Sequence, residues 1–454
     1  MSKNMIKNWW NNIKEDKHKR RVVLAFFLLA FFLILFTEPY FNTYNVISRY
    51  LTIESIVEDG DFIIDERHQA TGDKIYREGH YYSSKPPILS VAASSIYYIT
   101  HNFFGQDFPE TGINTRSEYF HSIYPTVYVA NLIFVGLPFL FLLFYFYKTL
   151  KLFYIKSRYH LPLILGLGLG SLLFTYSVTF NNHVIAGSLL FIGFYYLLLI
   201  KKFNYKFDDI NKYLFLSGLF TSLSAVIDLP TGLTFFALFF VYFFLKLGFR
   251  KILYYIGPAL IIFSLHLYFN YQAFGGFLPA QAYEDYWIGP DGELVLIHFF
   301  RDHSWYTLLF NIFIGTNGFF IYTPLLLLPL YSIYKIIKEK SEFIWEALMI
   351  VFGFIILILF YINLAKDYGG GAYGYRWFIA ITPLFYFFII FLFKKTLSAK
   401  MSTVFTILLL WSCIVAIIGV FDPWPQSLRF DIFGTLFPVP PLWVALGLDY
   451  SFLY

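Results

Sequence analysis

Polar and apolar residues are segregated along this chain into long blocks rather than mixed turn by turn. Each apolar block is continuous, and each is long enough, or nearly long enough, to cross a membrane as an α-helix. A helix satisfies all its backbone hydrogen bonds internally, so it is the form in which such a block can span a bilayer. The pattern predicts twelve candidate spans, at 21–37, 88–104, 122–147, 161–180, 183–200, 213–228, 231–245, 252–271, 318–334, 344–363, 376–393 and 402–421.

The block 88–104 differs from the others because it is interrupted by polar residues, namely Ser90, Ser94, Ser95, Thr100 and His101. Basic residues indicate whether this block crosses, because cytoplasmic linkers are rich in Lys and Arg. If it lies on the membrane or dips into it, 24 of the 34 Lys and Arg residues fall on the cytoplasmic side. These residues belong to the N-terminus and to the linkers 148–158, 201–212, 246–251, 335–340 and 394–400. We therefore predict about eleven transmembrane helices, within a range of ten to twelve, with 88–104 as a juxtamembrane helix.

Composition agrees with this assignment, since 58% of the residues are hydrophobic and only 14% are charged. Soluble domains carry about a quarter of charged residues. The fold class predicted is an all-α polytopic membrane protein, integral to the plasma or inner membrane, with a cytoplasmic N-terminus. It comprises a basic tail at 1–20 and a single transmembrane domain at 21–454. The expected partners include membrane lipids and exclude nucleic acid, and the single Cys413 excludes an internal disulfide.

The same assignment places 22 of the 29 Asp and Glu residues on the exoplasmic side. Four polar segments collect there: the first loop 38–121, the second outer loop 272–305, the turn 364–376 and the end 422–454. Any chemistry is expected on this face, because long polar loops on a rigid scaffold commonly carry function.

Within the first loop, 45–58 has the apolar spacing of an amphipathic helix, capped by Asn42 or Asn45 and ended by Asp59-Gly60. We expect it to lie on the membrane surface, with Arg49 and Glu54 available to solvent or a head group. The next residues indicate short extended pieces, with turns at 59–61, 71–73 and 78–80. Lys85-Pro86-Pro87 then fixes a lysine at the membrane edge, where it can hold a phosphate or extend to lipid head groups.

Two stretches of this loop, SRYLTIESIVEDGDF at 48–62 and TGDKIYREGHYYSSKPPILS at 71–90, resemble the first outer loop of GT-C glycosyltransferases. The resemblance is to the branch that holds protein O-mannosyltransferases and aminoarabinose transferases. Those proteins place a surface helix after the first span and a Lys-Pro-Pro type turn before a second juxtamembrane helix. Weaker matches follow in the family's order at 228–231, 269–276, 316–327 and 369–385.

The chain departs from the family at the position of its catalytic base. The family usually carries an acidic residue a few positions before the equivalent of Tyr50, whereas this chain has Asn45 there. Asparagine cannot accept a proton, so either a neighbouring acid replaces the base or the activity is altered or absent. The candidate catalytic residues are Asp73, Asp65 and Glu38, with Asp73 the first choice.

The resemblance implies a polyprenyl-phosphate-linked sugar as donor and a lipid, glycan or protein as acceptor. Cations must stabilise the leaving phosphate, and a base must deprotonate the acceptor hydroxyl. Arg49, Lys85 and Arg376 are the residues expected to bind the donor phosphate. Arg376 follows the glycines 369–371, which let backbone approach a ligand closely.

The sequence leaves two alternatives open. No cofactor is indicated with certainty, but His298, Asp302 and His303 could hold a divalent metal. The lone histidines His183 and His266 are expected to be satisfied polar residues rather than metal ligands. The rival function is a lipid-linked-sugar flippase or another polytopic carrier, which should show polar residues lining a path through several spans.

Overall fold

The computed structural model describes residues 17–41, 43–107, 124–204, 209–295, 304–365 and 371–424, together with short strands at 429–432 and 435–438. Within these ranges the chain is built almost entirely from helices. In chain order they are α1 (Lys17–Phe36), α2 (Tyr44–Glu58), α3 (Ile88–Phe104), α4 (Pro125–Leu152), α5 (His160–Gly168), α6 (Leu172–Tyr176), α7 (Asn182–Lys202), α8 (Ile210–Ile227), α9 (Leu229–Leu247), α10 (Phe249–Phe274), α11 (Trp305–Phe313), α12 (Phe319–Tyr322), α13 (Leu327–Lys338), α14 (Ile344–Leu364), α15 (Thr382–Phe387), α16 (Ile390–Phe393) and α17 (Ala399–Phe421).

Long apolar helices dominate this architecture. In the described part of the chain, seven of them are long and apolar enough to cross a membrane, namely α4, α7, α8, α9, α10, α14 and α17. The prediction of an all-α polytopic membrane protein is therefore confirmed. The figure of eleven spans, the sidedness and the juxtamembrane role of α3 stay predictions.

Three of the predicted spans are not single helices. The run 161–180 contains α5 and α6, because the Ser171 hydroxyl accepts a hydrogen bond from Leu173 N at 3.3 Å and so begins a new helix. The run 318–334 is divided by a 3₁₀ turn at Pro324–Leu326, where the proline lacks the amide needed to continue α12. The run 376–393 contains a 3₁₀ turn at Arg376–Phe378 followed by α15 and α16.

The first loop folds as a helix, a hairpin and a second helix. α2 and α3 begin within one residue of their predicted starts. Between them, β1 (Lys74–Arg77) and β2 (His80–Ser83) pair antiparallel, with Lys74 opposite Ser83 and Arg77 opposite His80. A second short hairpin pairs β3 (Arg429–Ile432) with β4 (Thr435–Pro438).

Three expectations for this loop are wrong. The N-cap residue of α2 is Thr43, and not Asn42 or Asn45. The segment Asp65–Ala70 is a 3₁₀ helix and not an extended piece. α2 does not present Arg49 and Glu54 to solvent, because these residues are only 2% and 6% exposed. Neighbouring elements cover the polar face of α2 as well as its apolar face, and every residue from Val46 to Ser55 is buried.

The core of the bundle lies around α7 and the run 378–390. The most apolar stretch of α7 is 89% buried. Gly187 allows this close packing, since a Cβ at that position would lie 2.9 Å from the Cα of Ala380. The start of α7 is thereby fixed beside the segment that carries Arg376.

Candidate functional site

Five segments from distant parts of the chain meet at one end of the bundle. They are α2, the turn at 84–87, the start of α7, the residue between α8 and α9, and the 3₁₀ turn at 376–378. Arg49 interacts electrostatically with Asp73, Asp228 and Arg376, and Lys85 interacts with Asp73, Arg49 and Arg376. The three cations predicted to bind phosphate are thus brought together, and we call Arg49, Lys85 and Arg376 the cation cluster.

Two asparagines, one on α2 and one on α7, position the side chain of Arg49. Its Nε donates to Asn45 Oδ1 at 3.3 Å, and a terminal nitrogen donates to Asn182 Oδ1 at 3.4 Å. Burial lowers the pKa of Arg49 to about 10, although the carboxylates of Asp73 and Asp228 act in the opposite direction. The guanidinium therefore stays charged at neutral pH, and its nearest acceptors are neutral amides.

Lys85 is positioned by the hairpin and by α2. Its Nζ lies 3.0 Å from an Asp73 carboxylate oxygen, and its side chain is 16% exposed. Ser48 on α2 donates to the Asp73 carbonyl at 2.6 Å, which pins the start of the hairpin to the helix. Burial lowers the pKa of Lys85, Asp73 raises it, and the nearby charges of Arg49 and Arg376 lower it further.

Arg376 and Ser84 contribute polar atoms with unmet hydrogen bonds. The Arg376 guanidinium lies 4.8 Å from the centre of the Trp424 ring. Its Nε and the hydroxyl of Ser84 are both buried, and neither finds a hydrogen-bond partner among the described residues. Ser84 precedes Lys85, and Arg376 interacts electrostatically with Lys85. Buried donors without partners are costly, so their presence at residues linked to Lys85 is typical of a ligand site.

His183 and Asp228 form a buried pair at the same end of the bundle. His183 Nδ1 lies 2.6 Å from an Asp228 carboxylate oxygen, and the two side chains are 9% and 1% exposed. Asn181 caps α7 by accepting from Val184 N at 3.0 Å, which fixes the first turn. Gly232 permits the tight turn after α8, since a Cβ there would lie 2.3 Å from the Ser224 carbonyl oxygen. We call His183 and Asp228 the dyad.

Positive charges outnumber negative ones among the groups that act on Arg49 and Lys85. The three members of the cation cluster face two carboxylates, Asp73 and Asp228, so one positive charge is not balanced within this set. A phosphodiester carries one negative charge and many acceptor oxygens. Such a group would balance the excess and satisfy the buried donors at once.

For the other two predicted catalytic residues, Asp65 and Glu38, the structure gives contacts with residues outside the cation cluster. Asp65 contacts β2 of the hairpin. One of its carboxylate oxygens lies 2.6 Å from His80 Nδ1, and the other accepts from Tyr81 N at 2.6 Å. Glu38 follows α1, where its amide donates to the Val178 carbonyl at 2.8 Å. Burial, followed by the charges of Glu38 and Asp422, raises the pKa of Tyr40 to about 12.

The candidate metal ligands His298, Asp302 and His303 lie outside the described residues. Within the described ranges, no group of three His, Cys, Asp or Glu side chains could hold a metal ion. His266 is a buried residue of α10, and its Nε2 lies 3.3 Å from Asn270 Nδ2. His183, expected to be a satisfied polar residue rather than a metal ligand, is hydrogen-bonded to Asp228 and lies in the candidate site.

Sequence reasoning missed the dyad, Asn182 and Ser84. A signal for the dyad was present, because His183 begins one apolar run and Asp228 ends another, and the charge-based topology puts both ends on the outer face. Which of the many outer residues pair with each other depends on helix packing, and no local pattern reports it.

No protein-family model matches this chain, and no curated protein matches it. Over 92% of its length the chain aligns with the crystal structure of the oligosaccharyltransferase of Archaeoglobus fulgidus in its apo form, with a TM-score of 0.54 and 14% sequence identity. The alignment covers 57% of that protein, so this chain spans less than two thirds of its length. At this identity the likeness concerns the fold alone. The chain therefore shares the membrane fold of the aligned part of that protein.

Proposed function

We propose that this protein is a glycosyltransferase that moves a sugar from a polyprenyl-phosphate monosaccharide to an acceptor on the exoplasmic face of the membrane. The observation that carries the proposal is the convergence of Arg49, Lys85 and Arg376 at one end of an apolar helical bundle. The shared fold supports it, because the protein with which the chain aligns is named as an oligosaccharyltransferase.

In this proposal the cation cluster holds the donor phosphate and stabilises it as a leaving group. When the bond between the sugar and the phosphate breaks, the phosphate gains a second negative charge. Buried cations are well suited to this task, because their interaction with a growing charge is weakly screened. Arg49 and Lys85 are nearly enclosed, so they meet this condition.

The lipid part of the donor would stay in the membrane beside the helices. α10 supports this arrangement, since only 28% of its most apolar stretch is buried by other elements. A polyprenyl chain packed against such a surface presents its phosphate at the height of the helix ends. The acceptor, whether lipid, glycan or protein, would approach from the exoplasmic side.

Asp73 has two candidate roles within this function. As the first choice for the base it would accept the proton of the acceptor hydroxyl. Its ion pair with Lys85 at 3.0 Å favours a second role, in which it orients that lysine toward the phosphate. Measuring both the turnover and the polyprenyl phosphate binding of Asp73→Asn separates the two roles.

The function is tested by replacing single cations. Lys85→Ala and Arg49→Ala should each lower kcat/KM for a polyprenyl-phosphate sugar by about 30- to 1000-fold, equivalent to about 2–4 kcal/mol of transition-state stabilisation. Each should also weaken binding of polyprenyl phosphate itself, measured as the shift in thermal stability that the lipid causes. Lys74→Ala is the matched control, because Lys74 belongs to the hairpin that precedes Lys85 but bonds to His68.

Near-normal turnover in both cation variants would mean that the phosphate is bound elsewhere. An equal loss in Lys74→Ala would show that the hairpin is merely fragile. Either result would contradict the proposed role of the cation cluster.

A further inference from the structure

The dyad lies beside the cation cluster and has no part in phosphate binding as described above. We infer that His183 is the general base that deprotonates the acceptor hydroxyl, and that Asp228 positions and polarises its ring. This inference rests on the proposed glycosyl transfer. It assigns the base in a chain that has Asn45 at the position where the GT-C resemblance implies an acid.

The hydrogen bond between the two side chains sets the chemistry of the ring. A carboxylate can only accept, so the 2.6 Å contact makes Nδ1 the protonated nitrogen of His183. The lone pair then resides on Nε2, which is the nitrogen able to take a proton. Among the described residues, Asp228 is the one hydrogen-bond partner recorded for this ring.

The cost of burying Asp228 indicates more than a packing role. A carboxylate that is only 1% exposed loses most of its hydration, and its hydrogen-bond partner is a histidine rather than a permanent cation. Such a pair becomes favourable when the ring accepts a proton, because the imidazolium then lies against a negative charge. The arrangement is thus prepared for a proton that arrives during the reaction.

The position of the dyad matches the site proposed for the donor. Asn182, the residue before His183, accepts a hydrogen bond from Arg49 at 3.4 Å. The charged groups that act on the dyad from other elements are Arg49 of α2 and Arg376, and Asp228 also interacts electrostatically with Tyr361 of α14. A sugar whose phosphate meets the two arginines would have its anomeric carbon within reach of an acceptor beside His183.

The competing bases near the cluster are already engaged. Asn45 has no basic atom, and its amide oxygen accepts from Arg49. Asp73 is paired with Lys85 at 3.0 Å, and proton uptake would break this pair. His183 has a basic atom, Nε2, and proton uptake there leaves the hydrogen bond between Nδ1 and Asp228 in place.

The proposed step is a single displacement. The acceptor oxygen forms a bond to the anomeric carbon while its proton moves to His183 Nε2. The bond from the anomeric carbon to the phosphate oxygen breaks, and its electron pair stays on the phosphate, where the cation cluster stabilises it. Asp228 stabilises the imidazolium until the proton leaves to water.

The test uses the full chain in membranes and a polyprenyl-phosphate sugar that the unaltered protein transfers. His183→Gln should lower turnover by at least roughly a hundredfold, as expected for loss of a general base. Binding of polyprenyl phosphate should change by less than about threefold, because the cation cluster is intact. His160→Gln is the matched control, since His160 is buried but bonds the Ile155 carbonyl at 2.8 Å.

Asp228→Asn provides a second variant that keeps the shape of the pair. It should lower turnover by roughly tenfold or more and move the acidic limb of the pH–rate profile to lower pH, because the charge that favours a protonated ring is gone. A purely structural role for Asp228 would leave that limb in place, and this result would overturn its assignment.

Three other results would overturn the inference. Turnover by His183→Gln within about threefold of that of the unaltered protein would show that His183 is not the general base. Loss of polyprenyl phosphate binding together with turnover would make His183 part of the phosphate site. A hundredfold loss of turnover in Asp73→Asn with binding retained would assign the base to Asp73.

Failure of the unaltered protein to use any polyprenyl-phosphate sugar would instead reject the proposed function, and the inference with it.

Discussion

For Arg49, the position on the outer face was predictable from the sequence, but the burial of the side chain was not. Its sequence position marked it as an outer cation, and the structure brings it to Lys85 and Arg376 as this role requires. Its burial was not predictable, because the elements that cover it come from other parts of the chain. The same holds for the dyad, whose two members are 45 positions apart in the sequence.

Glu54 provides a test of burial at the residue scale. Burial raises the pKa of Glu54 from 4.5 to about 8, while its ion pair with Arg67 acts in the opposite direction. Between these two values the folded chain holds a proton that the unfolded chain releases. The free energy of unfolding should therefore fall as the pH rises from about 5 to 8.

Glu54→Gln cannot ionise, so it should make thermal stability less dependent on pH over this window. A difference of one pKa unit corresponds to about 1.4 kcal/mol, which is measurable by thermal unfolding of solubilised protein at both ends of the window. An identical pH dependence in Glu54→Gln and the unaltered protein would show that Glu54 ionises normally in the folded chain.

Elements were predictable where local sequence defines both ends. α2 and α3 match their predicted starts because helical spacing and the Lys85-Pro86-Pro87 turn act locally. The interrupted spans were not predicted, since apolar runs such as 161–180 look continuous by hydropathy. Their breaks depend on single hydroxyls and prolines, notably Ser171 and Pro324.

The two outer loops are coupled at the element scale through Arg77 of β1. Its guanidinium donates to the Phe274 carbonyl and the Tyr286 hydroxyl, and it lies 4.9 Å from the centre of the Tyr286 ring. Gln281 in the second loop also donates to the Ser84 carbonyl, next to Lys85. The second outer loop therefore supports the turn that carries the phosphate-binding lysine.

Arg77→Ala should release the second outer loop from the hairpin, at a local cost of about 1–3 kcal/mol. Limited proteolysis should then cut within 276–295 several times faster than in the unaltered protein, and polyprenyl phosphate should bind more weakly. Glu78→Ala is the control, because Glu78 contacts Arg77 but its side chain is 76% exposed. Unchanged cleavage in Arg77→Ala would show that the loops are held together by other contacts.

At the scale of the whole molecule, the charge distribution predicts which end of the bundle faces out. All members of the cation cluster and the dyad belong to the predicted exoplasmic side, and the basic linkers belong to the other. In a Cys413→Ser background, Asp291→Cys should react with an impermeant thiol reagent in intact cells. Lys156→Cys and Glu339→Cys should resist it until the cells are permeabilised. Labelling of Lys156→Cys from outside would invert the assignment of the site.

The central claim is that the convergent cations serve transfer of a sugar from a lipid phosphate. The most direct measurement follows radiolabel from polyprenyl-phosphate mannose, glucose and arabinose in membranes that contain either the unaltered protein or Lys85→Ala. The account predicts that label from at least one donor enters a new covalent product with the unaltered protein, and that the Lys85→Ala membranes lose this activity by at least about 30-fold. Label that crosses the membrane and stays on the polyprenyl phosphate would contradict the account and identify a carrier of lipid-linked sugars instead.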